Sequence, residues 1–130
     1  MDKVVHFEIP VDNVERAKKF YAVFGWNLQD WPMSDGSTYI GVHTTPIDEK
    51  THMPLKPGAI NGGMFKRTGD ELKTPLITIE VANIDTTLKK VEKSGGKTVK
   101  SKTPVADMGF IAYFKDTEGN IVGLWENIKK

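Results

Sequence analysis

The sequence predicts an α+β fold made of two copies of one βαβββ module. The first observation is an internal repeat, in which each position matches the one seventy residues further along. The matched positions include Val11 and Val81, Asn13 and Asn83, and Gly25 and Gly95. The second is that three more strand-like runs follow each predicted helix. Because a half-size sheet buries little surface alone, we expect the two sheets to pair around a cleft.

Module one, about residues 1–68, begins with a strand and an amphipathic helix. Apolar residues alternate with polar ones from residue 5 to residue 9, a period of two that indicates one buried face. The predicted helix is capped by Asn13 and ended by Gly25. The apolar stripe of this helix is expected to face the core. The stripe consists of Val14, Ala17, Phe20, Tyr21 and Phe24.

The rest of module one is predicted to be three strands and a long loop. The strand-like runs are 26–31, 37–43 and 59–66, with a turn at residues 34–36 between the first two. Residues 44–58 contain three prolines and show no periodicity. Long loops in compact domains are often binding lids, so this segment is a candidate lid.

Module two, about residues 74–130, repeats the same order after a polar linker at residues 68–70. A predicted strand at 76–81 leads into a helix capped by Asn83 or Asp85 and ended by Gly95. Three strands follow at 97–103, 109–115 and 120–127. The last two are joined by a turn sequence at 116–119.

Length, charge and residue usage limit the possible functions. A chain of 130 residues fits one domain, 1–130. Eighteen basic and seventeen acidic residues leave a net charge of +1, which favours neither nucleic acid nor an anionic membrane as a partner. The absence of cysteine excludes disulfides, thiolate metal sites and a cysteine nucleophile. With no signal-peptide pattern and no membrane-spanning stretch, we expect a cytoplasmic protein.

Two groups of motifs carry a family resemblance. The first contains HFEI at 6–9, NVERA at 13–17, FY at 20–21 and FGW at 24–26, and the second contains DTEGN at 116–120 before GLWE at 123–126. In this order and spacing they resemble the vicinal oxygen chelate superfamily of glyoxalases, bleomycin-resistance proteins and extradiol dioxygenases. The resemblance implies two βαβββ modules in an eight-stranded curved mixed sheet around a cleft. It also implies a homodimer, which we expect here.

The resemblance further implies where a metal would bind. Glyoxalase-type members take one ligand from the first strand of each module and a carboxylate from the last strand of each. These positions are His6, Leu76, Gly63 and Gly123. A catalytic zinc, nickel or iron site needs about three imidazole or carboxylate ligands, and His6 alone could supply one. We therefore expect no metal and no cofactor.

Strand alternation predicts which side chains line the cleft. If Phe7 and Ile79 pack under the helices, their chain neighbours face the other way. The predicted ligand-binding residues are His6, Glu8, Tyr39, Asn61, Gly63, Phe65, Leu76, Thr78, Gly123 and Trp125. We expect a planar or aromatic ligand to stack near Trp125 and Phe65, although aromatics on strands also pack in cores and interfaces. Glycine inside a strand is typical of a place where a ligand or a partner strand approaches the backbone.

Three functions remain open at this point, and the catalytic residues stay unidentified. The leading hypothesis is a metal-independent small-molecule binding protein that resembles the bleomycin-resistance members. The alternative is a lyase, isomerase or dioxygenase with an atypical metal set of His6, Glu8 and His43, or with His6 and Glu8 as an acid–base pair. The third is a structural or interaction subunit with a collapsed cleft.

Overall fold

The computed structural model describes residues 1–33, 35–69 and 71–128, which contain eight strands and two α-helices. The strands are β1 (Lys3–Val11), β2 (Asn27–Pro32), β3 (Thr38–His43), β4 (Asn61–Lys66), β5 (Leu76–Glu80), β6 (Lys97–Val105), β7 (Gly109–Lys115) and β8 (Ile121–Asn127). The helices are α1 (Val14–Tyr21) and α2 (Ile84–Lys93). The predicted α+β class and the repeated βαβββ order are confirmed.

The chain divides into two compact units, and the first five residues of the predicted module one fall in the unit that contains module two. One unit is His6–Pro75, and the other joins Met1–Val5 to the chain from Leu76 onward. The sheet of module one has the strand order β2-β3-β4-β1, and the sheet of module two has the order β6-β7-β8-β5. In each sheet the first and last strands of the module pair in parallel, and the other pairs are antiparallel. Both sheets are therefore mixed, while the cleft stays a prediction.

Both helices begin at the predicted residues, but α1 ends at Tyr21, and a 3₁₀ turn lies between it and the predicted end at Gly25. Asn13 and Asn83 each accept a hydrogen bond from the backbone N–H three residues further on, at 2.9 and 2.8 Å. This satisfies a donor that the first turn of a helix leaves unpaired. Gly25 and Gly95 take positive φ angles of 76° and 98° after the helices, a conformation that costs glycine little. Asn83, and not Asp85, is the cap of α2.

Each module buries an apolar cluster between its helix and one face of its sheet. The buried residues of module one are Ile9, Val11, Ile40, Val42 and Met64. Those of module two are Val81, Ile84, Leu88, Ala112 and Leu124. Because side chains alternate along a strand, the neighbours of these residues lie on the opposite face of each sheet.

The predicted inner stripe of α1 is partly wrong. Val14, Ala17 and Tyr21 pack against the core cluster of module one, but Phe20 and Phe24 are 63% and 60% exposed. The reason is local. A 3₁₀ turn at Ala22–Phe24 follows α1 and changes the angular spacing, and Phe20 lies at the edge of the stripe.

The loop at residues 44–58 has no helix or strand beyond an isolated bridge between Ile47 and Pro54. The carboxylate of Asp48 accepts backbone hydrogen bonds from Lys50 and Thr51 and so orders a turn within it. Two positions of the predicted turn and linker, Ser34 and Asp70, lie outside the described residues. No helix of the described chain has both the length and the apolar character needed to cross a membrane.

Candidate functional site

Six of the predicted site residues belong to one sheet face of module one, opposite its core cluster. The paired residues on this face are His6 and Asn61, Glu8 and Gly63, and Tyr39 and Phe65. Residues paired across strands carry their side chains on the same side of a sheet. We call this surface the aromatic face, and define it by these six residues with Trp31, Gly41 and His43.

Aromatic rings lie directly over two glycines of this face. A Cβ atom added to Gly63 would overlap the hydroxyl and ring of Tyr39, and one added to Gly41 would lie 3.1 Å from the ring of Trp31. The Trp31 and Tyr39 rings stack with their centroids 6.3 Å apart and an interplanar angle of 22°. His43 meets the Trp31 ring edge-on, at 6.1 Å between centroids. The three rings form a layer that rests on glycine backbone.

The close approach predicted at Gly63 is therefore made by a side chain of the same module, Tyr39. Trp31 and Gly41 are two members of the layer that the sequence did not predict. A weak signal was present, because Gly41 lies two residues from Tyr39 and so shares its face. The position of Trp31 opposite Tyr39 follows only from the pairing of β2 with β3.

Ionisable groups lie on the same face as the ring layer. Glu8 is 3% exposed, and its Oε1 lies 3.6 Å from Nε2 of the half-buried His6. Burial, and then the charge of Glu8, raise the pKa of Tyr39 well above its usual value of 10.0. Burial, and then the charge of His52, lower the pKa of His43 from 6.5. At neutral pH the layer therefore presents a protonated phenol and a neutral imidazole.

Asn61 has a structural role that the sequence did not predict. Its Oδ1 accepts backbone N–H bonds from Thr44 at 2.7 Å and from Thr45 at 3.0 Å, and its Nδ2 donates to the Thr45 carbonyl at 3.2 Å. Both ends of the amide are thus engaged in fastening the start of the 44–58 loop to β4. A ligand-binding role for Asn61 stays a prediction.

Three of the four predicted site residues of module two are buried in side-chain packing. Leu76 is 6% exposed and Thr78 1%, and they lie around the buried Gly123 together with Tyr113, which was not predicted and is 5% exposed. A Cβ atom added to Gly123 would lie 2.9 Å from Oγ1 of Thr78 and 3.3 Å from Cδ1 of Leu76. The Thr78 hydroxyl has no hydrogen-bond partner among the described residues. Trp125 is half-buried, and its indole N–H donates to Asn127 at 2.8 Å. Its joint role with Phe65 stays a prediction.

The donor atoms do not fit the metal site that the family resemblance implies. Gly63, Gly123 and Leu76 offer none, and Tyr39 occupies the space that a carboxylate at position 63 would need. In the described part of the chain, no three histidine, aspartate or glutamate side chains come together as a metal site. The alternative set of His6, Glu8 and His43 is thus not assembled, although the first two lie close together.

Comparisons with known proteins agree with the fold. Residues 3–44 match the family described as bleomycin resistance protein-like N-terminal. The chain is 29% identical over 114 residues to CFP32 of Mycobacterium bovis, a protein named as a glyoxylase, and equally to its namesake in Mycobacterium tuberculosis. The match covers 85% of this chain and 40% of the length of each relative. The chain therefore spans less than half of the curated relatives it matches.

Two solved structures show the same fold at low sequence identity. A glyoxalase/bleomycin resistance protein/dioxygenase superfamily member from Vibrio splendidus 12B01 matches with a TM-score of 0.58 and 11% identity, over 98% of this chain and 100% of that one. The Mn(II)-bound glyoxalase from Novosphingobium aromaticivorans matches with a TM-score of 0.60 and 17% identity, over 100% of this chain and 41% of that one. These likenesses show that the chain has the fold of this group of solved structures, and the family match over residues 3–44 agrees with the resemblance to the vicinal oxygen chelate superfamily.

Proposed function

We propose that this chain is a metal-independent small-molecule binding protein, and that a planar or aromatic ligand stacks on the aromatic face of module one. The observation that carries the proposal is the ring layer of Trp31, Tyr39 and His43 over Gly41 and Gly63. Trp31, Tyr39 and His43 are each half-buried. A flat ligand gains about 0.5–1.5 kcal/mol from an offset stack in addition to the apolar area it buries.

The polar groups of the face define what such a ligand carries at its edge. The Glu8 side chain is buried on the same face, and Tyr39 stays protonated because its pKa is raised. The neutral imidazole of His43 has an acceptor nitrogen, which favours a ligand with an N–H donor. The proposed ligand is therefore a flat ring system with a donor group.

Tryptophan fluorescence tests this proposal. A variant with Trp26→Phe and Trp125→Phe leaves Trp31 as the reporter, and it is titrated with a panel of flat aromatic amines. We expect saturable quenching that weakens about tenfold or more in Gly63→Leu, where the added side chain displaces Tyr39 from the layer. Lys66→Ala, an exposed change on β4 whose side chain lies on the opposite face of the sheet, is the matched control. Unchanged binding of every hit to Gly63→Leu would place the ligand elsewhere.

Elemental analysis tests the metal independence. Protein purified without chelator is expected to contain no stoichiometric zinc, nickel, iron or manganese, because three of the four implied ligand positions lack donor atoms. One metal equivalent per chain that disappears in His6→Ala would overturn the proposal and favour an enzyme.

A second candidate function is metal-free acid–base catalysis, which the 3.6 Å approach of His6 to Glu8 favours. Each hit from the fluorescence panel is incubated with the protein and followed by NMR for chemical change. Turnover that is lost in His6→Gln, with binding retained, would support this candidate. Binding without turnover supports the binding protein.

The same proposal includes a homodimer, as the family resemblance implies. Light scattering over a dilution series is expected to give twice the mass of the chain. A monomer at every concentration, with ligand still bound, would contradict the dimer and leave the ligand proposal intact.

A further inference from the structure

A concave surface of about 370 Å³ lies on the helix side of module one, so it is separate from the aromatic face. It is formed by the end of β1, by the side of α1 that carries Arg16 and Phe20, and by Arg67, which follows β4. We propose that this surface is a second binding site, for small molecules that combine an aromatic ring with a carboxylate. Its volume is within the range of small-molecule pockets.

The apolar part of the surface fits a ring. Val11 and Ala17 form part of its wall, beside Phe20 and Tyr21. Phe20 remains 63% exposed although it is a large apolar residue, and its ring meets the ring of Tyr21 edge-on at 5.1 Å. A ligand ring packed against Phe20 removes apolar area from water that the protein alone leaves exposed.

The charged part of the surface fits a carboxylate. Arg67 is fixed in place by its hydrogen bonds to Asp12 at 2.8 Å and to the carbonyls of Pro10 and Lys73 at 3.2 and 3.0 Å. Its Nε is buried and has no hydrogen-bond partner among the described residues.

Arg16 contributes the second guanidinium of the surface. It forms no ion pair with any described residue, and it is exposed. Since Asp12 is the acidic side chain of the lining, the two arginines leave the surface with a net positive charge. Guanidinium groups bind carboxylates through paired, charge-assisted hydrogen bonds.

The internal repeat shows that the fold does not require these residues. Seventy positions after Arg16 and Phe20, α2 carries Thr86 and Lys90. Both helices have the same asparagine cap and the same place in their module, yet α2 forms without an arginine or an aromatic ring at these positions. A shared scaffold with different outward residues indicates that Arg16 and Phe20 serve something other than folding.

The test uses phenylacetate as the probe and phenylacetamide as its neutral counterpart, with the full chain labelled for NMR. We expect phenylacetate to shift the backbone signals of α1 saturably and phenylacetamide to bind about tenfold more weakly or worse. Replacing either residue by its module-two counterpart, as Arg16→Thr or Phe20→Lys, should also weaken phenylacetate about tenfold or more.

Matched controls come from the same helix and the turn after it. Lys19→Thr removes one positive charge, and Val23→Lys replaces an apolar residue that is 78% exposed; neither lines the surface, so binding should stay within about twofold. Gly63→Leu should bind phenylacetate normally, which separates this site from the aromatic face.

Equal affinity for the two probes, an equal loss in the controls, or no saturable shift would overturn the proposal. Arg16→Thr changes an exposed side chain and should leave the fold intact. It therefore tests the proposed site even if Phe20→Lys fails to fold.

Discussion

The two modules have the same scaffold and different surfaces, and this difference separates residues that build the fold from residues available for function. Strand order, helix caps and helix-ending glycines are the same in both. On the face opposite the core, module one carries half-buried rings over Gly41 and Gly63. Module two buries Leu76, Thr78 and Tyr113 around Gly123 and has a single half-buried ring, Trp125, over Gly109. The aromatic face of module one is therefore the part of this comparison on which the proposed function depends.

The modules also differ in how firmly each helix is attached to its sheet. In module two, the buried Glu126 accepts the backbone N–H of Ile84 at 2.9 Å and pairs with Lys102 at 2.5 Å. A carboxylate is favourable at the start of a helix, where backbone donors are unpaired. Glu126 lies three residues after Gly123, and the residue three after Gly63 in module one is the exposed Lys66. Module one therefore lacks this attachment.

The largest expected effect is the loss of that attachment. Glu126→Ala should lower the free energy of unfolding by about 3 kcal/mol, because it removes a buried charged partner of both Lys102 and the α2 backbone. Lys66→Ala at the matching place in module one should change it by less than about 0.5 kcal/mol. Urea denaturation of both variants measures the difference. Equal losses would show that the two modules are fastened alike.

A smaller effect of opposite sign is expected at Thr78. Its buried hydroxyl has no partner among the described residues, so Thr78→Val should raise the unfolding free energy by about 1 kcal/mol at nearly constant volume. Thr87→Val is the control, since the Thr87 hydroxyl donates to the Asn83 carbonyl at 2.8 Å and its loss should not stabilise. Thermal unfolding compares the two. A destabilised Thr78→Val would mean that the hydroxyl is used.

Local patterns predicted the scaffold, and contacts between distant residues determine the rest. The caps at Asn13 and Asn83 are properties of short stretches of chain, so they could be inferred from the sequence. The ring layer depends on the pairing of β2 with β3, which brings Trp31 next to Tyr39 and over Gly41. No spacing of residues along the chain predicts the contact of Trp31 with Tyr39. The predicted stacking pair of Phe65 and Trp125 was inferred only from the alternation of side chains along a strand.

A further difference is expected in the opening of the two helices. Helix α1 has no buried residue, whereas Ile84 and Leu88 of α2 are buried. A segment with few buried apolar contacts opens more often. The amides of α1 should therefore exchange about tenfold faster than those of α2, which corresponds to a difference of about 1.4 kcal/mol in the free energy of opening. Hydrogen exchange followed by NMR measures both helices in one sample. In Glu126→Ala the α2 amides should approach the α1 rates, and unchanged α2 protection would contradict the role given to Glu126.

The smallest effect is an alkaline dependence of stability that comes from the aromatic face of module one. Burial and the charge of Glu8 raise the pKa of Tyr39 in the folded chain above its usual value of 10.0. A raised folded pKa gives stability that is fully present below pH 10.0 and is lost as the pH rises from there through the folded pKa. Wild type should therefore lose stability above about pH 10 more steeply than Tyr39→Phe, which keeps the ring but has no phenol to ionise.

Trp31→Phe retains Tyr39 and should keep the steep dependence. Urea denaturation between about pH 8 and pH 11 gives the slopes, and parallel slopes for wild type and Tyr39→Phe would show that the phenol of Tyr39 is as well solvated folded as unfolded.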